Sequence, residues 1–388
     1  MFNLTDERLE QMKAVHTATE IHHQPEVWQE LFDQFTENKA SYQQFIEKIY
    51  AKHDYVRVIF TGAGTSAFVG DTLAPELRRQ NNSNVQFESI PTTDIVSNPT
   101  NYFSENKPTI LVSFARSGNS PESVAAVSLG EQIIKDFYQV VITCNNEGKL
   151  AKNAKKDENS LVLLTPAKAH DKGFAMTSSF SSMLLTAYYL FSNQGISKNE
   201  IESLTANAKH CLDNCATIID QILDIDFERI VYLGSGLLGQ LAHEAALKLL
   251  ELSAGKVVAL HESSLGFRHG PKSILNDKSI VMLFISQDPY TRKYDLDILR
   301  ELHADGVKVV TLTTTNDKEV EELAEWTVNV IDHEDKLSDF YHSLLYIIFA
   351  QAFALKKSIQ LGITPDNPSP DGKVNRVVQG VTIYPFEK

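Results

Sequence analysis

Cysteine is scarce, with three thiols in 388 residues, so no disulfide framework of the kind that staples small secreted domains is expected. Cys144 closes an apolar run, and Cys211 and Cys215 stand one helical turn apart. That pair reads as two small residues on a packed helix face, and no metal site is expected. Basic charge is also short: 36 Lys and Arg stand against 50 Asp and Glu, a net charge of −14. Nucleic acid and anionic membrane surfaces both need a basic face, so neither is expected as a partner. Any phosphate group must then be held locally. The chain lacks a run of ~18 apolar residues that could span a bilayer. Its opening, Met1-Phe-Asn-Leu-Thr-Asp-Glu7, lacks the basic and apolar regions of a secretory signal. A cytoplasmic protein is expected.

What the chain does contain is one supersecondary unit written twice. Arg57-Val-Ile-Phe-Thr-Gly-Ala-Gly64 reappears as Arg229-Ile-Val-Tyr-Leu-Gly-Ser-Gly236, each an apolar run entering a Gly-x-Gly turn and leaving into a helical pattern. The order continues to match. Residues 109–115 pair with 279–285, 139–143 with 307–312, and 161–164 with 326–330, and apolar helix patterns follow at 178–192 and 337–361. Continuous β-branched runs separated by helices mean strands buried on both faces. The expected fold is α/β, with two tandem doubly wound parallel-sheet domains.

The first 50 residues read as helices, with a start at Thr5-Asp-Glu and a break before Pro25. A DNA-binding preface fails on charge, because residues 1–50 carry far more Asp and Glu than Lys and Arg. His22 and His23 are adjacent and point to different sides of a helix, so they are read as structural. The expected organisation is an N-terminal helical segment at 1–50, a first domain at 51–195, a connecting helix at 196–226, a second domain at 227–364 and a tail at 365–388.

A parallel strand that delivers its carboxyl end to a helix N-terminus builds an anion site from backbone N–H groups and the helix dipole. In the first copy Gly64-Thr-Ser-Ala67 places two hydroxyls there, and Arg116-Ser-Gly-Asn-Ser-Pro-Glu122 places Ser117 and Ser120 on the next strand-to-helix turn. Helix capping would explain any one of these residues. Both turns furnished alike in the same copy favour a compact dianion such as a phosphate monoester. The second copy completes Gly234-Ser-Gly-Leu-Leu-Gly239 with Glu262 downstream, the pattern of a dinucleotide site. The helix that follows carries Glu244, Lys248 and Glu251 on one stripe. Glu244 with Lys248 reads as an i, i+4 surface salt bridge, and Glu251, among leucines at the helix end, as a carboxylate tuned by partial burial. The Arg268-His-Gly-Pro271 turn projects His269, which gives an acid to set beside that base.

With these residues the chain resembles the sugar isomerase (SIS) domain proteins: the isomerase half of glucosamine-6-phosphate synthase and, over essentially the whole length, the AgaS-type sugar phosphate isomerases and deaminases. The resemblance implies that Thr65, Ser66, Ser117 and Ser120 hold the sugar phosphate, with Gly64 and Arg116 of the same turns as further substrate-binding candidates, and that Glu251, with Lys248 beside it, moves a proton between C1 and C2. It further implies that His269 reaches the sugar from a neighbouring subunit and helps open the ring, so the active unit is at least a dimer. Two departures stand out. Where the synthase has a lysine near its C-terminus this chain places Gln379, with Lys373 and Arg376 as candidate substitutes. Met1 is followed by Phe2, with no glutaminase ahead of the first sheet, so the enzyme is expected to release ammonia or to isomerise alone. The expected activity is an amino sugar phosphate deaminase/isomerase that turns galactosamine 6-phosphate into tagatose 6-phosphate and ammonia, with no cofactor. The alternatives are a tagatose-6-phosphate ketose/aldose isomerase without deamination, a NAD(P)-binding oxidoreductase, and a non-catalytic sugar phosphate sensor.

Overall fold

The structure, a computed structural model, describes residues 1–80, 84–332, 337–378 and 380–387. Two short helices, α1 (Asp6–Gln11) and α2 (Val15–His22), and a long one, α3 (Gln24–Lys52), precede the first sheet. Thr5 caps α1 by accepting from the Arg8 N–H. The first sheet region runs β1 (Val56–Thr61), α4 (Thr65–Gln80), β2 (Val85–Ser89), α5 (Thr92–Ser97), α6 (Pro99–Tyr102), β3 (Thr109–Ala115), α7 (Pro121–Ile133), β4 (Phe137–Thr143), α8 (Lys149–Ala154), β5 (Ser160–Leu164) and α9 (Ser178–Phe191). After α10 (Lys198–Leu223) comes the second: β6 (Arg229–Gly234), α11 (Leu237–Leu252), β7 (Val258–Ser263), β8 (Ser279–Phe284), α12 (Thr291–Ala304), β9 (Lys308–Thr313), α13 (Lys318–Leu323), β10 (Trp326–Asn329) and α14 (Asp339–Gln360).

The strand orders are β2-β1-β3-β4-β5 and β10-β9-β8-β6-β7, and every pairing is parallel. Counted from its own first strand, each sheet has the same order, so the duplication read from the sequence is a duplication of topology. The central strands are buried along their whole length, as β1, β3 and β8 show, which is why they spell continuous apolar runs. In both sheets the order reverses beside the first strand, at β1/β3 and β6/β8, and ligands of open α/β sheets bind outside the carboxyl ends of strands at that point.

β2 was not anticipated. It is an edge strand in which only Phe87 is fully buried, so its sequence, Val85-Gln-Phe-Glu-Ser89, lacks the apolar run of its neighbours.

The chain divides into two compact units. The first-sheet unit contains Val27–Asp171, Ser178–Ser197 and Asp371–Lys388; the second-sheet unit contains Met1–Glu26, Lys172–Thr177 and Lys198–Pro370. In the first, Phe60, Phe87, Phe114 and Phe191 form a ring cluster with centroids 5.6–5.9 Å apart. In the second, α14 is buried nearly throughout, and its Tyr346 hydroxyl donates to the Ile285 carbonyl at 2.8 Å. Among the described residues no helix is long and apolar enough to cross a membrane.

Candidate active site

In the first-sheet unit the switch point is made by the β1–α4 and β3–α7 turns. Gly64 sits at φ +56°, a left-handed conformation that a side chain would strain, and this lets the chain turn directly into α4. Thr65 and Ser66 follow in the first turn of α4, both buried. Ser117 and Ser120 flank the second turn, half-buried. Ser120 is the N-cap residue of α7 by position, yet its hydroxyl makes no capping bond, so capping does not account for it.

The second turn is held in place by the loop after β4. The Asn145 side-chain amide donates to the Ser117 carbonyl at 2.8 Å, the Leu150 N–H to the Gly118 carbonyl at 3.1 Å, and the Lys149 N–H to Asn119 Oδ1 at 3.1 Å. Arg116 is buried, and its guanidinium donates to the Arg376 carbonyl at 3.1 Å. Arg376 in turn donates to the Asp171 carbonyl. Asp171 caps α9 through the Ser178 and Ser179 N–H groups, each at 3.0 Å. Burial, with Arg376 and Arg116 close by, lowers the His170 imidazole below its usual range. Of the two candidates to replace the tail lysine, Arg376 therefore lies beside Arg116, whereas Lys373 is exposed and pairs with Asp371 at 3.0 Å. Gln379 lies outside the described residues.

In the second-sheet unit the candidate acid–base residues lie on α11, which packs against β6, β7 and α14. Lys248 Nζ lies 2.6 Å from Glu251 Oε2 and 3.4 Å from Glu244 Oε1. The side chains of Lys248 and Glu244 are 0% exposed and that of Glu251 is 24% exposed. The surface salt bridge expected between Glu244 and Lys248 is thus a buried one: the i, i+4 stripe faces inward. Glu244 is the fully buried counter-ion of Lys248, and Glu251 is the partly exposed member of the trio. A carboxylate in the last turn of a helix faces the unfavourable end of the dipole, and Lys248 offsets this for Glu251.

His269 follows a short 3₁₀ segment (Gly266–Arg268) after β7 and precedes Gly270 and Pro271. Its N–H donates to the Gly266 carbonyl at 2.9 Å; its ring is exposed and, among the described residues, in no hydrogen bond or ion pair. Arg268 pairs with Asp297 at 3.0 Å and with Glu301 at 2.5 Å, and Lys272 also pairs with Glu301. These bonds fix the turn to α12 while leaving His269 projected.

The dinucleotide pattern has a packing explanation. A Cβ on Gly239 would come within 2.9 Å of the Gly234 carbonyl oxygen, and one on Gly234 within 2.7 Å of the Leu238 backbone. Three residues escaped the sequence reading. His243 of α11 and His261 of β7 stack with centroids 3.8 Å apart, 14° from parallel; only the strand-to-helix proximity of the fold could have paired them. Burial, and then the neighbouring imidazole, lowers His243 to about 4 from an ordinary 6.5. A base whose pKa falls on folding binds more protons unfolded, so its contribution to stability is present above 6.5 and lost as pH falls toward 4. Melting temperature should therefore drop across that window, and His243→Gln should flatten the drop. The depressed carboxylates Asp136, Glu301 and Asp317 act below their ordinary values and leave the upper part of the window to the two lowered imidazoles, His243 and His170, so the His243 substitution removes only its own share of the drop. The third, Asp295 of α12, is fully buried.

The SIS domain pattern matches residues 50–193 and 225–356. A protein from Shewanella sp., D-galactosamine-6-phosphate deaminase AgaS, is 42% identical over 386 residues, covering 99% of this chain and 96% of its own. Among solved structures, one from Clostridium novyi is 41% identical with a TM-score of 0.95, covering 100% of this chain and 99% of its own. Another, tagatose-6-phosphate ketose/aldose isomerase from Escherichia coli, is 38% identical with a TM-score of 0.83, covering 96% and 97%. The chain belongs to the SIS domain family, and within it stands with the AgaS proteins.

Proposed function

We propose that the protein is an amino sugar phosphate deaminase/isomerase that converts galactosamine 6-phosphate into tagatose 6-phosphate and ammonia. The observation that carries this reading is the partly exposed Glu251 carboxylate held by the buried Lys248 ammonium, in a chain whose near full-length relative bears the deaminase name. Gly64, Thr65, Ser66, Arg116, Ser117 and Ser120 hold the phosphate. His269 assists ring opening. Glu251 takes the proton from C2 of the open chain and returns it to C1, passing through an enolamine, while Lys248 stabilises the negative charge that develops on O1. Water adds to the resulting ketimine at C2 and ammonia leaves. The C2 proton is acidic once the aldehyde forms, so these residues suffice. Domains at 51–195 and 227–364, joined by 196–226 and flanked by 1–50 and 365–388, are the division this reading uses. The three free thiols and a phosphorylated substrate fit a reducing cytoplasm.

The active unit is at least a dimer, with His269 serving the partner's site. Its exposed, rigidly mounted ring supports this. Co-expressing His269→Ala with Glu251→Gln tests it: each variant alone should be nearly inactive, and mixed oligomers should regain turnover because one site keeps both groups. No recovery would place the histidine in its own chain's site.

Plain ketose/aldose isomerisation is the second reading, favoured by the name of the Escherichia coli structure. Free ammonia released with the ketose supports the deaminase, and aldose–ketose exchange without ammonia supports the isomerase.

A further inference from the structure

The two switch points have the same topology and different contents. In the second-sheet unit the strand ends of β6, β7 and β8 converge on one side chain, Asp295 of α12, which is 0% exposed. Ser235 Oγ, after β6, donates to Asp295 Oδ1 at 2.5 Å, and Ser264 Oγ, after β7, donates to the same oxygen at 2.6 Å. The Ser286 N–H, after β8, donates to Oδ2 at 3.0 Å. Two hydroxyls and a backbone N–H aimed at one buried carboxylate are the donor set of an oxyanion site.

Register identifies what stands there in the other copy. Arg57 pairs with Thr109 as Arg229 pairs with Ser279, so α7, starting at Pro121, corresponds to α12, starting at Thr291. Counted from those starts, the fifth residues are Ala125 and Asp295. The unit with hydroxyls on its first helical turn, Thr65 and Ser66, has an alanine at this place. The unit with the aspartate has Leu237 and Leu238 instead of the hydroxyls. Gly64 and Gly236 share the same turn geometry, at φ +56° and +58°.

We propose that the second-sheet switch point is an anion site permanently occupied by the Asp295 carboxylate, which shuts the duplicate turn and leaves each chain one phosphate-binding turn. The assignment of that remaining turn to the first-sheet unit rests on the function proposed above; the closure of the duplicate does not. A fixed internal carboxylate repels a phosphate dianion and already uses the donors it would need.

The test uses inorganic phosphate and stability, with no turnover readout, so it stands or falls separately from the deaminase reading. Removing the carboxylate in Asp295→Ala leaves three donors around an empty space, and a ligand that binds the folded state raises its stability in proportion to occupancy. At ionic strength matched with chloride, phosphate should raise the melting temperature of Asp295→Ala more than that of wild type. Asp295→Asn, which refills the space with a neutral side chain, should show only the wild-type rise. No extra rise in Asp295→Ala overturns the proposal. Should that variant not fold, calorimetric titration of wild type decides: at most one phosphate per chain supports closure, and two per chain contradicts it.

Discussion

Glu251→Gln should lower turnover by ~10²-fold or more, because it removes the proposed general base while keeping the shape and hydrogen-bonding reach of the side chain. Glutamine can still accept from Lys248, which in wild type lies 2.6 Å from the Glu251 carboxylate, and Lys248 keeps Glu244 as its counter-ion at 3.4 Å. The fold should therefore be nearly unaffected, with the loss in kcat rather than in KM, since the base acts on the transition state and the phosphate grip lies elsewhere. Steady-state kinetics with a melting curve separate these effects. Near wild-type turnover would remove Glu251 from the chemistry.

Lys248→Met carries the largest stability cost expected in the second-sheet unit. Methionine fills a similar volume but leaves the fully buried Glu244 without the ammonium 3.4 Å away. Removing one partner of a buried ion pair typically costs about 3–5 kcal/mol, whereas replacing the whole pair by neutral groups of similar size can be close to neutral. The prediction is a pair of urea denaturation curves. Lys248→Met should lose about that amount, and Glu244→Gln with Lys248→Met should recover most of it without recovering activity. If the single variant were as stable as wild type, the charge network would not be structural. On the role proposed for Lys248, both variants should be inactive.

Particular elements explain how far the sequence could be read. The duplication was legible because strands such as β1, β3 and β8 are buried on both faces and must be apolar throughout. β2 was illegible for the complementary reason: as an edge strand it buries one side chain fully and leaves the rest partly wet. Helices α9, α10 and α14 were read close to their observed bounds from long apolar periodicity.

The spacing of Glu244, Lys248 and Glu251 put the three on one stripe, but i, i+4 spacing is the same on either face of a helix. Which face α11 turns toward β6, β7 and α14 is a tertiary fact, so a surface pair was expected where a buried one exists. Asp295 was invisible for a related reason. One aspartate in an amphipathic helix looks solvated, and only the register match with Ala125 marks it as a difference between copies. The hydroxyl turns of the first copy were legible because Gly, Ser and Thr at a strand-to-helix junction announce themselves locally.

The central claim is that this site releases ammonia from a 2-amino sugar phosphate by proton transfer at C1 and C2. The most direct measurement incubates the purified protein with galactosamine 6-phosphate and, separately, with glucosamine 6-phosphate, following free ammonia and ketose phosphate over time. The account predicts ammonia and tagatose 6-phosphate in equal amounts from the galacto substrate, little from the gluco epimer, and neither product with Glu251→Gln. Galactosamine 6-phosphate left intact, with no ammonia above a blank, would contradict it.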